Sequence, residues 1–203
     1  MKIRILNYGV GNLFSVYKAF KKMVSGSVEI VRDRDGNVFK DVDIIILPGV
    51  GHFTPASSYI LRYREDILNS VEKGVSIFGI CLGMQLLGLN SEEGGGIGLN
   101  LIRGNTYRLP KSVKTPHMGW NTVNPTSHHK LFEDLEEPLY FYFAHSYYFV
   151  PYSREFIAGL TNYGVSFPSV VVRDLIVGVQ FHPEKSGYVG MKFLRNYLEM
   201  VKK

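Results

Sequence analysis

Two short segments constrain the fold most. The segment from Asp43 to Leu47 is an apolar run, and Val75 to Ile80 reads as another strand of the same kind. A strand that carries apolar side chains toward both faces must be covered on both, which is the situation of a parallel sheet with helices on either side. The rest of the first half fits this reading. Lys2 to Leu6 is a short apolar strand ending in the turn Asn7-Tyr8-Gly9-Val10-Gly11-Asn12. Leu13, Val16, Tyr17, Phe20 and Met23 then recur at helical spacing, Ser25-Gly26 stops the helix, and Val28 to Val31 resumes a strand. After Leu47 comes Pro48-Gly49-Val50-Gly51. Thr54 then reads as an N-cap followed by a first-turn proline, Pro55. Ile60, Tyr63, Ile67 and Val71 form one helical stripe, ended by Gly74. Repeated strand–helix units of this kind imply right-handed crossovers and a mostly parallel sheet.

The second half reads differently. Asn105 to Leu109, Asn121 to Val123, Leu139 to Phe143, Tyr147 to Val150 and Phe156 to Thr161 look like short strands. Val170 to Phe181 reads as a hairpin turning near Asp174, and a final helix from about Tyr188 carries Phe193, Leu194, Tyr197, Leu198 and Val201 on one face. The expected fold is α/β: one domain over residues 1–203, with a mostly parallel central sheet flanked by helices and an antiparallel strand extension. A chain of 203 residues, 45% of them hydrophobic, can bury such a core. No apolar run approaches a membrane span, and the N-terminal residues lack the apolar stretch of a secretion signal. One cysteine allows no internal disulfide, so a reducing compartment, the cytoplasm, is expected. The net charge of +5 is spread rather than concentrated, which argues against nucleic acid as a partner.

A lone cysteine is usually an inert core residue, but the setting of this one is not inert. Gly79-Ile80-Cys81-Leu82-Gly83 lies between a buried strand and a helix and has the nucleophile-elbow pattern with Cys at its centre. Glycines there let strand and helix approach through a sharp turn. The helix beginning at the turn favours an anionic sulfur and leaves backbone N–H groups free beside it. A nucleophile needs a base, and the base an orienter. Phe181-His182-Pro183-Glu184 follows a buried strand, and its extended geometry sends His182 and Glu184 to the same side. Glu184 can then accept one ring N–H while the other nitrogen faces the thiol, the logic of hydrolytic triads. Taken alone, His-Pro-Glu is equally a surface turn; the elbow tips the balance. For the oxyanion, the Leu82 N–H and the Gly49–Gly51 loop are the natural donors. His128 and His129 read as solvated, and His52 and His117 as packing residues. No metal site is expected, since a zinc site of the deaminase type needs a downstream Cys-x-x-Cys and the chain has one cysteine. Gly9-x-Gly11-x-x-Phe14 lacks the third glycine of a dinucleotide fingerprint, because Phe14 would block close helix–strand packing. No organic cofactor is expected.

These segments resemble class I glutamine amidotransferases, and over essentially the whole length the glutaminase subunits of imidazole glycerol phosphate synthases. The resemblance rests on Asn7 to Leu13, Leu47 to Phe53, Gly79 to Gln85, Pro116-His117-Met118-Gly119-Trp120-Asn121 and His182 to Ser186. It implies that Cys81 is the nucleophile, His182 the acid/base and Glu184 its orienter, with the amides near Val50 and Gly51 joining that of Leu82. It also implies that Gly49, Gln85 and the His145-Ser146-Tyr147 segment help hold L-glutamine. The partner it implies is a separate (β/α)₈-barrel cyclase subunit in a heterodimer, which takes the ammonia for histidine biosynthesis. Combined with the position of the strand ends, it points to Asn12, Met118, Trp120 and Lys185 as contacts with that subunit. Ala144, where a β-branched residue is expected, is the one departure, and it is expected not to touch the triad. Glutaminases of anthranilate or pyridoxal phosphate synthesis, a cysteine peptidase or γ-glutamyl hydrolase, and a noncatalytic binding module are the rival readings.

Overall fold

The two apolar runs become neighbouring strands at the centre of a sheet. The fold is taken from a computed structural model that describes residues 1–9, 12–32 and 38–202. Val10 and Gly11 of the first turn lie outside the described residues. In chain order the elements are β1 (Ile3–Leu6), α1 (Leu13–Lys21), β2 (Val28–Val31), β3 (Ile44–Leu47), α2 (Phe53–Leu61), α3 (Arg64–Glu72), β4 (Ser76–Ile80) and α4 (Leu82–Leu86). There follow β5 (Asn90–Ser91), β6 (Gly104–Arg108), β7 (His117–Pro125), β8 (Leu139–His145), β9 (Tyr147–Pro151), β10 (Ile157–Asn162), β11 (Ser166–Arg173), β12 (Ile176–Val179) and α5 (Gly187–Val201).

Every residue of β3, β4 and β12 is buried, as strands covered on both faces must be. Alternation divides each strand between two cores. Ile44 and Ile46 pack with Val16 and Phe20 of α1 and with Phe193, Leu194 and Tyr197 of α5. Ile45 and Leu47 pack on the opposite face with Phe53, Ala56 and Ile60 of α2 and Ile67 of α3. Each such side chain contributes about 1.5–3 kcal/mol when fully buried, so the double-sided strands anchor the fold. A buried hydrogen bond of 2.7 Å between the Tyr197 hydroxyl and Ser76 Oγ ties α5 to the start of β4.

The large sheet runs β2-β1-β3-β4-β12-β11-β10-β7-β8. The strands from β2 to β12 pair in parallel, and those from β12 onward antiparallel. The parallel centre and its antiparallel extension, β11 to β8, thus make up the sheet the sequence implied. The hairpin between β11 and β12 turns at Asp174, which takes the left-handed conformation with φ of 52°, where the sequence placed it. A separate small sheet, β5-β6-β9, was not expected.

Local expectations differ at four points. The stripe from Ile60 to Val71 is two helices, because Tyr63 leaves helical geometry (φ −110°, ψ 12°) and packs on Tyr59 and Phe39. Glu65 and Asp66 in the first turn of α3 then favour a new N-terminus there. Thr54 does not cap α2: the helix begins one residue earlier, its first N–H donates to Glu93 Oε2 at 3.0 Å, and Thr54 Oγ1 donates to the Gly95 carbonyl. Strand β7 is nine residues long rather than three. Phe14 is exposed and stacked on Tyr17, so its bulk is not what separates α1 from the strands.

The glycines of the elbow serve backbone approach. A Cβ on Gly83 would lie 1.9 Å from the Leu47 carbonyl oxygen, and one on Gly49 would lie 2.2 Å from that of Ile80. Neither neighbour is a flexible side chain that can step aside. Gly83→Ala is expected to destabilise the fold by about 3 kcal/mol, the upper range for overpacking, read as a lower urea midpoint. An unchanged midpoint would contradict this packing.

Candidate active site

Parallel pairing of β4 with β12 sets Ile80 opposite Val179, and the Cys81 N–H continues that ladder to the Val179 carbonyl at 2.7 Å. The chain then turns sharply. Cys81 has φ 52° and ψ −104°, a conformation that disfavours any side chain and persists only where the surroundings enforce it. The ladder behind it and the helix ahead of it, with Gln85 N–H on the Cys81 carbonyl, supply that enforcement. Helix α4 spans only five residues, so the field it presents to the sulfur is that of little more than one turn, weaker than the sequence reading supposed.

The thiol is buried and touches two groups. Its S–H donates to the Ala144 carbonyl at 3.7 Å, and Gln180 Nε2 donates to Sγ at 3.5 Å. Ala144 thus meets Cys81 through its backbone carbonyl, contrary to the expectation drawn from its side chain.

His182 and Glu184 do converge, but not along the extended segment the sequence suggested. His182 alone is extended (φ −106°, ψ 91°), and Pro183–Lys185 form a 3₁₀ turn that brings Glu184 back to the ring. His182 Nδ1 lies 2.9 Å from Glu184 Oε1, with both side chains almost wholly buried. The carboxylate accepts only, so Nδ1 carries the proton. The backbone is clamped as well: His182 N–H donates to Tyr142 O in β8, while Ser186 Oγ donates to His182 O and accepts from Tyr142 N–H. Burial alone would push the His182 pKa down. Hydrogen bonding toward Cys81 and Glu184, and the negative charge of both, overcome it and raise the value to about 10. His182 Nε2 nonetheless makes no hydrogen bond in the resting geometry. It is held near the thiol but not bonded to it, as is common before substrate binds.

Gly49 packs directly on the start of α4, where a Cβ would stand 2.5 Å from Leu82 N. Val50 and Gly51 follow at the surface. The loop's far end is held by Glu93, which accepts from Phe53 N–H and lies 3.3 Å from His52 Nδ1. The Leu82 N–H and the Gly49–Gly51 loop are therefore side by side.

On the other wall the Tyr147 carbonyl accepts from Gln85 Nε2 at 3.0 Å and from His145 Nδ1 at 2.9 Å. His145 Nε2 lies 3.0 Å from His117 Nδ1, and His117 Nε2 lies 3.2 Å from Asn121 Nδ2, which also donates to the Asn162 carbonyl. The carbonyl at one end fixes every proton: both rings are neutral, each donating from Nδ1 and accepting at Nε2. Burial lowers the pKa of His145 to about 3, assisted by the charges of His117 and His182. Burial also lowers that of His117 to about 4. Both nitrogens of His145 are thus occupied within the protein. His117, read from sequence as mere packing, does stack between Phe143 and Tyr163 but is also the middle of this relay.

Met118 and Trp120 project from the opposite face of β7 and are 65% and 57% exposed. Trp120 meets the edge of Tyr142 at 6.2 Å, and Lys185 Nζ lies 6.0 Å from the centre of the same ring. Asn12, at the N-terminus of α1, is exposed and caps Ser15 N–H. His128 is exposed, as read from the sequence. His129 is half-buried and accepts from Leu131 N–H. Among the described residues no cluster of three His, Cys, Asp or Glu can hold a metal, and no helix is long and apolar enough to cross a membrane.

A cysteine on a strained elbow, a histidine beside it and a buried glutamate orienting that histidine define an α/β protein equipped for cysteine-dependent acyl transfer. Comparison with known proteins narrows the class. The family model described as "Glutamine amidotransferase class-I" matches residues 6–200. The chain is 44% identical to the imidazole glycerol phosphate synthase subunit HisH of Archaeoglobus fulgidus over 203 residues, covering 99% of this chain and 100% of the relative. It is 41% identical to that of Caldanaerobacter subterraneus over 203 residues, covering 98% of each. The solved structure of PurLQS from Thermotoga maritima shares the fold, with a TM-score of 0.77 at 20% identity over 99% of each chain. The chain belongs to the class I glutamine amidotransferases and, within them, to the family of imidazole glycerol phosphate synthase HisH subunits.

Ring nitrogen shifts measured by NMR test the electrostatics. His117 and His145 should stay neutral at pH 6, while His182 stays cationic at pH 8, given values of about 4, about 3 and about 10. Glu184→Gln, which removes one of the two groups that raise it, should lower the His182 pKa. A cationic His145 at pH 6 would contradict the assigned relay.

Proposed function

We propose that this protein hydrolyses L-glutamine to glutamate and ammonia through a Cys81 glutamyl thioester, and delivers the ammonia to a cyclase subunit for imidazole glycerol phosphate synthesis. The observation that carries the reading is the buried 2.9 Å contact of His182 with Glu184 beside a cysteine held at positive φ. The relatives' shared name favours this pathway over the other amidotransferases.

The chemistry runs as follows. In the reactive form the Cys81 proton already sits on His182 Nε2, the nitrogen of that ring not bonded to Glu184, and the sulfur is a thiolate. The thiolate attacks the carboxamide carbon of glutamine, and negative charge moves to oxygen. The Leu82 N–H, with amides near Val50 and Gly51, receives it. His182 returns the proton to the nitrogen, the C–N bond breaks, and ammonia leaves a thioester. Water then gives a proton to His182 as it attacks that thioester. The C–S bond breaks and glutamate departs. Glu184 holds the ring and its charge throughout. Gly49 and the Ser146–Tyr147 corner, braced by Gln85 and His145, frame the substrate.

Ammonia released into neutral water becomes ammonium and loses its nucleophilicity, so the mouth of the site needs a cover. The cyclase subunit supplies it, forming a heterodimer in the cytoplasm. Trp120 and Lys185 lie against Tyr142 next to His182, Met118 pairs opposite Ala144 on the same two strands, and Asn12 caps α1; an exposed aromatic among such residues suits an interface anchor.

Cys81→Ala and His182→Ala are expected to lower glutamine-dependent synthesis by the assembled enzyme at least ~10³-fold. Synthesis from added ammonium salt at alkaline pH should persist, because that step belongs to the cyclase. Loss of both activities in a mutant that still assembles would reject this division of labour. A diazoketone analogue of glutamine should label the chain once, at Cys81, and glutamine should protect it.

The surface is tested separately. Trp120→Ala combined with Lys185→Ala should weaken binding to the cyclase at least ~10-fold, as loss of a hot-spot anchor does. Wild-type affinity in the double mutant would remove these residues from the interface.

A further inference from the structure

The two groups that touch the Cys81 sulfur act in opposite senses. The Ala144 carbonyl accepts from the thiol at 3.7 Å, so it favours the neutral S–H and repels an anion. The Gln180 amide donates to the sulfur from Nε2 at 3.5 Å, and a donor favours the anion. Gln180 is completely buried, and its Oε1 has no hydrogen-bond partner. As packing this is a poor choice, because an unpartnered buried acceptor is costly and a methionine fills similar space without it. The backbone fixes its place: Gln180 N–H donates to Ser169 O on β11 at 2.9 Å. Just past the end of β12, the Gln180 side chain thereby reaches Cys81, which sits at the end of the adjacent strand.

We propose that Gln180 is a further catalytic residue: its Nε2–H hydrogen-bonds the Cys81 thiolate before attack and again when the thioester is cleaved. The inference rests on the reading of Cys81 as nucleophile. When the thiol proton moves to His182 Nε2, the contact with the Ala144 carbonyl changes from attractive to repulsive, and the Gln180 bond strengthens to offset it. As sulfur bonds to the carboxamide carbon, its electron pair enters the C–S bond and the Gln180 interaction weakens. During hydrolysis the C–S bond breaks, the pair returns to sulfur, and the amide stabilises it as the leaving group. The role is needed because α4 is too short to supply much of that field.

Cys81 is the only thiol, so alkylation by iodoacetamide followed by intact mass reads this site alone. Gln180→Met keeps the volume and removes the donor; Gln180→Asn keeps the amide but withdraws it. Both should be alkylated roughly tenfold more slowly than wild type at pH 7, the scale of one charge-assisted hydrogen bond. In the assembled enzyme both should lose glutamine turnover in kcat, with KM changed by less than about threefold. Ser169→Ala, which loses a neighbouring hydroxyl but no sulfur contact, should alkylate at the wild-type rate. An unchanged rate in both Gln180 variants overturns the proposal, and so does a faster one, as an opened site would give. If the wild-type complex lacked glutaminase activity, the functional reading would fall, while the alkylation comparison would still decide whether Gln180 acts on the sulfur.

Discussion

The site depends on the parallel pairing of β4 and β12. Its register places Ile80 beside Val179 and continues for one further bond, from Cys81 N–H to Val179 O. With those two chains locked, Cys81 emerges from one strand as Gln180 and His182 emerge from the next. Side chains on flexible loops would have to be ordered at each turnover; here they are held by a ladder that is buried on both faces. The elbow conformation at Cys81 is strained, and strain survives only where rigid packing leaves no alternative. Gly49 and Gly83 make that packing possible by letting β3, β4 and α4 meet backbone to backbone.

Charge burial is the second constraint. Removing His182 and Glu184 from water is costly, and the pair is retained through its short contact and the clamp of Ser186 on the surrounding backbone. Its pH dependence follows from the sign of the shift. A histidine raised from 6.5 to about 10 contributes stability that is full below pH 6.5 and is lost as pH rises toward 10. His117 and His145 are lowered, so their contribution is present above pH 6.5 and is lost as pH falls toward 4 and 3. The two sets oppose one another across neutrality. Cationic His182 and the two neutral rings thus coexist only in an intermediate range, the range in which a thiolate–imidazolium site must work.

Much of the parallel half was legible from residues, because double-sided burial writes an unbroken apolar run and a nucleophile elbow needs its glycines. The helix split at Tyr63 was not, since the apolar stripe continues through it and only the aromatic packing of Tyr59 and Phe39 interrupts the backbone. Strand β7 was read too short because its exposed Met118 and Trp120 and its glycine obscure the alternation. In the candidate site, Cys81, His182 and Glu184 are adjacent to sharp local signals. The relay from Asn121 through His117 to His145 has none, for its members lie on two strands whose pairing brings His117 opposite His145. Gln180 did have a signal: it lies just past the strand that leads to the site, two residues before the histidine.

Strand β7 joins these two kinds of information. Its alternation sets His117 and Asn121 inward on the relay that ends at the Tyr147 carbonyl, and Met118 and Trp120 outward beside Tyr142. Tyr142 in turn carries the backbone groups that bond His182 N–H and Ser186 Oγ. One strand and its neighbour therefore touch both walls of the Cys81 pocket and the exposed surface at the same time. Trp120 meets the edge of the Tyr142 ring, and the Tyr142 backbone bonds His182 and Ser186, so the exposed surface and the His182 wall share one residue.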